Sequence, residues 1–599
     1  MRKSLLVASS LLISAATIVN SNVASAQKSL GSETIKLNQI GFYPNGPKVA
    51  IVVNTKATKF SVISATNKKD TAFSGNLKKT GVWVYSNEDC AQADFTALTK
   101  PGSYVVYVKG AGNSYPFEIK DNANEEAAKG SLKGYYFQRA STNLPTEFAG
   151  KFARAAGHYD DDVLVHNSAA NATRTKKTKI NVSKGWYDAG DYNKYIVNSG
   201  ITMASFFSLY EDFTQYNNTL LLNIPESSNQ TPDVIDEANW NLRWMLTMQD
   251  PTDGGVYHKV TNPNFDPEVM PKDALEQRYV IMKSTAATLD FAGAMAHASR
   301  VYRGSLEKQF PGLADSCLTA SKKAYEWAKK NPKALYTMEV QESLSNPEIK
   351  TGAYDDKFVD DEFLWASSEL FVTTGDINYF KDARLDTSMN KNLKVPNWQS
   401  VGMLGLYSLI KHANKFKDNK EVTFVLDSLK YKFTKAATDF RDKGLASPYG
   451  VVMGADTGDF VWGSNAIAAN QGMFLIKAYL LTNDKSFVDA AHSNLDYLLG
   501  RNGVGYSFLT GFGEKSTMNP HHRPSTADGI DEPVPGLLAG GPNPGQQDVS
   551  SCNGSSYPSN LPALSYMDDH CSYASNEIAI NWNAPFIYLS NAIEAIRRK

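Results

Sequence analysis

Near Asn122 the chain changes texture, and that change constrains its fold more than any single motif. Before it, short runs of β-branched and aromatic residues stand between turn residues. Lys48-Val-Ala-Ile-Val-Val53, Val82-Trp-Val-Tyr85 and Tyr104-Val-Val-Tyr-Val108 are punctuated by Asn45-Gly46, Lys100-Pro-Gly102 and Gly110-Ala-Gly112. Short strands with regular turns predict a β-sandwich of immunoglobulin type over residues 33–122. The Cys…Trp…Cys core signature is missing there, so the topology stays open. After Asn122, apolar residues recur at helical spacing. Leu289, Phe291, Ala294, Met295, Ala298 and Val301 follow Ser284 on one helix. Leu475, Ile476, Tyr479 and Leu480 mark a second, and Leu495, Leu498 and Leu499 a third. Thr374-Gly-Asp376 before Tyr379 is echoed by Thr482-Asn-Asp484 before Phe487. Each echo sits between two helical stretches, which hints at stacked helical hairpins, as in a toroid of helix pairs. No low-complexity linker separates the halves, so a tight junction is expected.

The N-terminus reads as a signal peptide over residues 1–26. Arg2 and Lys3 precede an apolar stretch from Leu5 to about Val19, and Ala24-Ser25-Ala26 is an A-x-A cleavage pattern. The apolar stretch is too short and too broken by Ser and Thr to favour a membrane anchor. The expected mature protein is secreted or periplasmic, with no membrane partner. In that setting Cys552 and Cys571, which flank a Pro/Ser-rich loop, could bridge it; the other reading is two buried thiols.

The charge balance narrows the partners. The 61 basic residues are matched by 62 acidic ones, and a phosphate backbone rewards an excess of Lys and Arg, so nucleic acid is an unlikely partner. With 30 Tyr, 28 Phe and 9 Trp on a nearly neutral chain, an uncharged partner such as a sugar fits better, although most rings in any protein are core.

Three segments crowd polar residues where helix propensity would not ask for them. In Gly185-Trp-Tyr-Asp-Ala-Gly-Asp-Tyr-Asn-Lys-Tyr195, Asp188 and Asp191 can share one side of a helical turn or tight loop. Two such carboxylates can hold and deprotonate one water. Taken alone, D-x-x-D is more often a helix cap. In the second segment, His521, His522 and Arg523 lie in a Gly/Pro-rich loop. Adjacent His residues point different ways and no HExxH or CxxC is present, so metal binding is the poorer reading. Hydrogen bonds to substrate hydroxyls or to a carboxylate suit them. In the third, Glu577 lies among Tyr573, Ile578, Ile580 and Trp582. Desolvation there would raise its pKa and keep it a proton donor; the plainer reading is a charge at a helix N-terminus. One acid, one base and a water are the equipment of inverting glycoside hydrolysis.

These segments resemble glycoside hydrolase family 9 over nearly the whole mature chain. Leu37-Asn-Gln-Ile-Gly-Phe42 is similar to the start of the family's immunoglobulin-like domain. Asp188-Ala-Gly-Asp191 matches its D-A-G-D motif. Gly513-x-Lys515 with Pro520-His521-x-Arg523 matches its first signature. Tyr566-x-Asp568, Tyr573, Glu577, Ala579 and Asn583-Ala584 match its second. The resemblance implies an all-α (α/α)6 barrel over residues 125–599. It implies Glu577 as general acid, Asp191 as general base and Asp188 as an aid in positioning water. His521 and Arg523 would hold substrate beside the scissile bond, and Asp568 would support the site by hydrogen bonding. Trp462 and Tyr573 are candidates to line the sugar cleft, with Trp365 read as core. The implied activity is an inverting endo-β-1,4-glucanase (cellulase) acting on β-glucan as a monomer. The alternatives are an exo-acting cellodextrinase, cellobiohydrolase or exo-glucosaminidase. A non-catalytic sugar binder is disfavoured by the presence of all three carboxylates.

No cofactor is required by this chemistry. The family's structural zinc is not expected, because Ala140 and Gly157 stand where Cys ligands would, leaving His158 and His166. A structural calcium on Asp233, Asp236 and Glu237 is the remaining metal expectation, against an ordinary acidic helix start.

Overall fold

The computed structural model describes residues 32–552 and 554–598. The signal peptide expected over 1–26 lies outside them. The N-terminal domain is a β-sandwich. One sheet orders its strands Ile35–Lys36, Val49–Val53, Glu88–Asp94, Lys78–Trp83, and the facing sheet is built on Gly41–Phe42, Phe117–Ile119, Gly102–Val108, Lys59–Ser64 and Thr71–Asn76. Phe42, Ala50, Val52, Phe60, Val62, Phe95 and Val106 fill the space between them.

Val49–Val53 is an unbroken apolar run because both of its faces are covered. Ala50 and Val52 point into the sandwich, whereas Ile51 and Val53, with Tyr43, Trp83 and Cys90, belong to the core of the helical domain. A strand buried on two sides loses the polar alternation of a solvated one. The expected tight junction is therefore a shared core. It also carries hydrogen bonds, such as Asn38 Nδ2 to Asp496 Oδ1 at 2.8 Å and Tyr43 Oη to Glu594.

The helical domain is a barrel of helix pairs. Six inner helices form its wall: α1 (Ile196–Asp212), α2 (Thr285–Tyr302), α3 (Asp360–Thr374), α4 (Gly402–Lys411), α5 (Ser464–Thr482) and α6 (Ile580–Arg597). α1 to α4 pack each on the next, α5 packs on α6, and α6 returns to α1 to close the ring. Between α4 and α5 the long outer helix Lys420–Ala446 packs on both. The other outer helices include Glu125–Gln138, Asp233–Thr247, Leu313–Lys330 and Lys485–Leu498. The inner helices are apolar almost all round, as helices covered on every side must be. On α2, Leu289, Phe291, Met295 and Ala298 are fully buried, each large side chain contributing about 1.5–3 kcal/mol. Ser284 starts α2 as its N-cap, its Oγ accepting from the N–H of Ala287. Trp365, expected in the core, is fully buried against Gly293.

The echo between Thr374-Gly-Asp376 and Thr482-Asn-Asp484 has a physical basis. Gly375 (φ 74°) and Asn483 (φ 61°) both end an inner helix in the left-handed region. Asp376 and Asp484 then cap the outer helix, accepting from the N–H groups of Asn378 and Ser486. The same turn chemistry closes two helical hairpins. One layer was not anticipated. A five-stranded sheet of very short strands, ordered Lys179–Ile180, Val163–Val165, Tyr279–Val280, Lys259–Thr261, Lys194–Tyr195, lies at the barrel mouth. It leads into the N-termini of α1 and α2.

Candidate active site

The three sequence segments meet at the end of the barrel where the inner helices begin. Asp188-Ala-Gly-Asp191 is a tight loop, not a helical turn. Gly190 is required by close approach: a Cβ there would lie 2.2 Å from the carbonyl oxygen of His521. Gln138 Nε2 donates to the carbonyl of Ala189 at 3.0 Å, and Arg523 donates to the carbonyl of Gly190 through Nη1 at 2.9 Å. The N–H of Ile580, the first residue of α6, donates to the carbonyl of Asp188 at 2.8 Å. Glu577 lies just ahead of α6 in extended backbone and pairs alongside His521.

Asp188 and Asp191 are buried and Glu577 is half-buried. Their oxygens are not equally occupied. Asp188 accepts from Asn198 Nδ2 on both oxygens, at 2.9 and 3.0 Å, and from the Tyr354 hydroxyl at 2.7 Å. Asp191 Oδ2 accepts from Asn193 Nδ2, whereas its Oδ1 is buried and without a partner among the described residues. Burial, then the charge of Asp191, pushes the Asp188 carboxyl up to about 8. Burial, then the charges of Asp191 and Asp188, lifts Glu577 well above the usual carboxylate range. Asp191 is raised by burial too, but Arg523 and Arg278 both pull it back. The ionised form is thus best supported on Asp191, and the proton is best held on Glu577 and Asp188.

Rings surround the carboxylates on three sides. Trp462, 43% exposed, lies 5.3 Å from the Tyr573 ring, and Tyr573 lies 6.1 Å from His521. This row leads from solvent to Glu577. Beside Asp188, Tyr354 packs edge-on against the partly exposed Trp398 at 5.2 Å. Phe265, exposed on a loop, is 5.9 Å from the Arg523 guanidinium.

The structure shows which partners three of the expected groups take. Arg523 is buried, and its Nε and Nη1 donate to the carbonyls of Asp266 and Gly190. It braces the D-A-G-D loop. Asp568 takes its hydrogen bonds from the segments that flank Glu577. It accepts from the N–H groups of Met518 and Asn519 and from Asn576 Nδ2, so it folds the loops on either side and acts through Asn576, the neighbour of Glu577. The acidic trio does not gather into a calcium ligand set. Asp233 accepts from the N–H of Leu222 and from Ser227, Asp236 from Asn229, and Glu237 from Arg139 and Trp186. Their shared helix face is real, but each carboxylate is already engaged elsewhere. Among the described residues no group of three or more His, Cys, Asp or Glu is placed to hold a metal ion.

The two adjacent histidines do point different ways. His521 Nδ1 faces the carbonyl of His570 at 2.6 Å, which places its proton there and leaves Nε2 a lone pair. His522 is buried on Gln138 and Ser525. His158 is bonded to the Tyr187 hydroxyl, and His166 to Ser168 and the carbonyl of Pro347. Cys552 and Cys571 form a disulfide, and Tyr573, two residues on, donates to the carbonyl of Gln547 within the loop before it. Tyr354, Asn198 and Asn576 were missed, because no local pattern marks them. The left-handed backbone of Tyr354 (φ 48°), unusual for an aromatic residue, becomes visible only in the structure.

The glycosyl hydrolase family 9 profile matches residues 125–590, and the cellulase N-terminal ig-like domain profile matches residues 31–113. A xyloglucan-specific endo-beta-1,4-glucanase of Bacteroides ovatus is 43% identical over 569 residues, 94% of each chain. Endoglucanase D of Acetivibrio thermocellus is 34% identical over 563 residues, covering 92% of this chain and 82% of that protein. A solved structure described as Bacteroides ovatus GH9 aligns with a TM-score of 0.87 at 41% identity, covering 94% of this chain and 99% of that one. With its helical barrel, its immunoglobulin-like domain and its three converging carboxylates, this chain belongs to glycosyl hydrolase family 9.

Proposed function

We propose that the protein is an inverting endo-β-1,4-glucanase that acts on β-glucan outside the cytoplasm. The observation that carries the mechanism is the unequal occupancy of the carboxylates: Asp191 Oδ1 is the buried oxygen left without a partner. Asp188, with hydrogen-bond donors on both oxygens, orients and does not itself take the proton. A water held between the two loses its proton to Asp191 Oδ1 as it attacks the anomeric carbon. Glu577, kept protonated by burial and by its neighbours, gives its proton to the departing glycosidic oxygen. The C–O bond breaks on one face while the new C–O bond forms on the other, so the configuration inverts. Trp462 and Tyr573 offer ring faces on which a glucan can lie.

The polymer is a β-1,4-linked glucan, and the relative named as xyloglucan-specific puts xyloglucan beside cellulose as a candidate. Hydrolysis of carboxymethylcellulose, cellohexaose, xyloglucan and chitosan oligomers, with product sizes and anomeric NMR of the first product, tests the reading. A rapid fall in polymer viscosity with inverted product is expected. Release of one small product from chain ends would replace endo with exo action, and a retained configuration would remove the roles given to Asp191 and Glu577.

A further inference from the structure

Lys259, on the short strand Lys259–Thr261 at the barrel mouth, is fully buried, and no ion pair to a carboxylate engages it among the described residues. Its Nζ donates to Gln341 Oε1 at 2.8 Å, Thr351 Oγ1 at 3.1 Å and the carbonyl of Gly352 at 2.7 Å. Hydrogen-bond accounting fixes its protonation. The Thr261 hydroxyl donates to the carbonyl of Asn262, so the Thr351 hydroxyl donates to Thr261 Oγ1. Thr351 Oγ1 is then an acceptor towards Lys259. Gln341 is held with its oxygen inward, because its Nε2 donates to the carbonyl of Thr351. Three acceptors facing one nitrogen require three N–H donors, which an ammonium has and a neutral amine lacks. The rings of Tyr195 and Tyr336, with centroids 5.4 and 5.3 Å away, offer the same cation their faces.

This cage controls the loop that reaches Asp188. Lys259 holds the carbonyl of Gly352, and the preceding residue, His258, holds the carbonyl of Ala353 through Nε2 at 2.7 Å. The next residue is Tyr354, whose left-handed backbone sends its hydroxyl to Asp188. Two consecutive residues, His258 and the first residue of the strand, thus clamp the two carbonyls just ahead of the tyrosine. Strand pairing sets Lys259 opposite Tyr195, four residues after Asp191; burial pulls the ammonium well below the usual lysine range, and the charge of Asp191 opposes that pull, as the three acceptors do.

We propose that Lys259 is a positioning residue of the hydrolysis: a buried ammonium that seats the Tyr354 loop on Asp188 and helps to keep Asp191 ionised as the base. The inference rests on the reading of Asp191 given above. The other ionisable groups acting on Asp191 or feeling its charge are Asp188, Glu577, Arg523, Arg278, His521 and Tyr195. Of these, Asp188, through Tyr354, and Tyr195, whose ring faces the amine, also feel a change at Lys259. Near the amine itself stand Asp191, His258 and the two tyrosines.

The experiment uses the full chain with Lys259→Met and Lys259→Arg, and measures kcat, KM and the pH dependence of kcat/KM on a soluble β-glucan. For Lys259→Met a kcat loss of roughly tenfold or more is expected with KM little changed, since the group acts through others. Its acidic limb is expected to move up by about half a pH unit or more. Lys259→Arg, which keeps the charge but not the three-point seat, is expected to restore the limb while kcat stays low. If Lys259→Met does not fold, Thr351→Val removes one acceptor of the cage and leaves the charge; kcat is expected to fall several-fold with the limb unmoved. An unmoved acidic limb in a folded Lys259→Met enzyme, or full kcat in Thr351→Val, overturns the inference. Asp191→Asn separates the two levels: an active Asp191→Asn enzyme removes the reading of the base itself, whereas inactivity there leaves Lys259 to be judged by its own variants.

Discussion

The two ends of the barrel gather acids in similar number and treat them in opposite ways. At the base, where the inner helices end, Glu211, Asp212 and Glu369 meet Arg300, Lys411 and Lys477. Arg300 donates to Glu211 and Glu369 at 2.8 Å each, and Lys411 is paired with Glu211 and Asp212. Tyr588 and Tyr407 add hydrogen bonds to Asp212. Burial alone would raise these three acids, but the cations overcome it and hold all three below their usual range. At the mouth, Arg523, Arg278 and the buried Lys259 act on the group of Asp188, Asp191 and Glu577 without overcoming burial, and all three acids are raised. The acids at the base are neutralised and serve structure. Those at the mouth are left under-compensated, which lets one carry a proton while another accepts one. A third group, Asp290, Asp356, Asp361 and Glu362, is also raised by burial and mutual repulsion. Under-compensation alone therefore does not make an active site.

The comparison breaks most sharply at Glu577. Glu577→Gln keeps shape and removes the proton, and a general acid contributes about 10²–10⁴-fold to the rate. A loss of that size in kcat is expected, with the melting temperature unchanged or raised; near-wild-type turnover would end the assignment. The opposite signature is expected at the base. Arg300→Met leaves Glu369 a buried charge without its arginine and takes from Glu211 one of its cations, Lys411 remaining, which costs roughly 3–5 kcal/mol of stability. Denaturant unfolding should show that loss, while kcat of the folded enzyme at low temperature stays near wild type. If Arg300→Met lowered kcat and left stability alone, the division between the two ends would be wrong.

A smaller effect is expected at the rim. Trp462→Ala removes a half-exposed ring face, and about 1–2 kcal/mol of apolar contact with substrate, roughly tenfold in KM, should go with it. An unchanged KM on polymer would show that the Trp462–Tyr573 row lies off the path of the glucan.

How far each of these features was legible follows from how it is encoded. The D-A-G-D loop and Glu577 stand in dense polar segments whose spacing is fixed by close packing, such as Gly190 against His521, so they could be read. The helix pairs could be read where capping repeats, as at Asp376 and Asp484. The mouth sheet could not, because strands of two or three residues are too short to show a period of two. The base network joins α1 to α2, α3, α4 and α5 through single residues far apart in sequence, each a routine charge on a helix. Tyr354 and Lys259 are of the same kind. The calcium expectation drew on a shared helix face alone: the partners of Asp233, Asp236 and Glu237, among them Arg139 and Asn229, are set by tertiary packing.

The least disruptive test of the contrast is the pH dependence of stability, with Asp188→Asn set against the wild type. Asp188 has its pKa raised from an ordinary aspartate value to about 8. A carboxyl raised in the folded state binds its proton more tightly there than in the unfolded chain. Its ionisation therefore destabilises the fold as pH rises from near 4 towards 8, and below that window the effect is absent. Asparagine resembles the protonated acid and does not ionise. It offers one good acceptor where the carboxylate offers two, so part of the bonding from Asn198 and Tyr354 is lost, and this adds a nearly constant offset at every pH. Against that offset, the difference in unfolding free energy should shift towards the variant as pH rises from 4 to 8, by an amount of order 1 kcal/mol. The acids at the base carry the reverse sign: stability from Glu369 is present above its unfolded pKa and is lost as pH falls through its lowered folded value. Glu369→Gln should therefore be most harmful at neutral pH and least harmful in acid. Parallel curves for Asp188→Asn and wild type across pH 4 to 8 would mean that the acids at the mouth are compensated after all, and the electrostatic distinction between the two ends of the barrel would be lost.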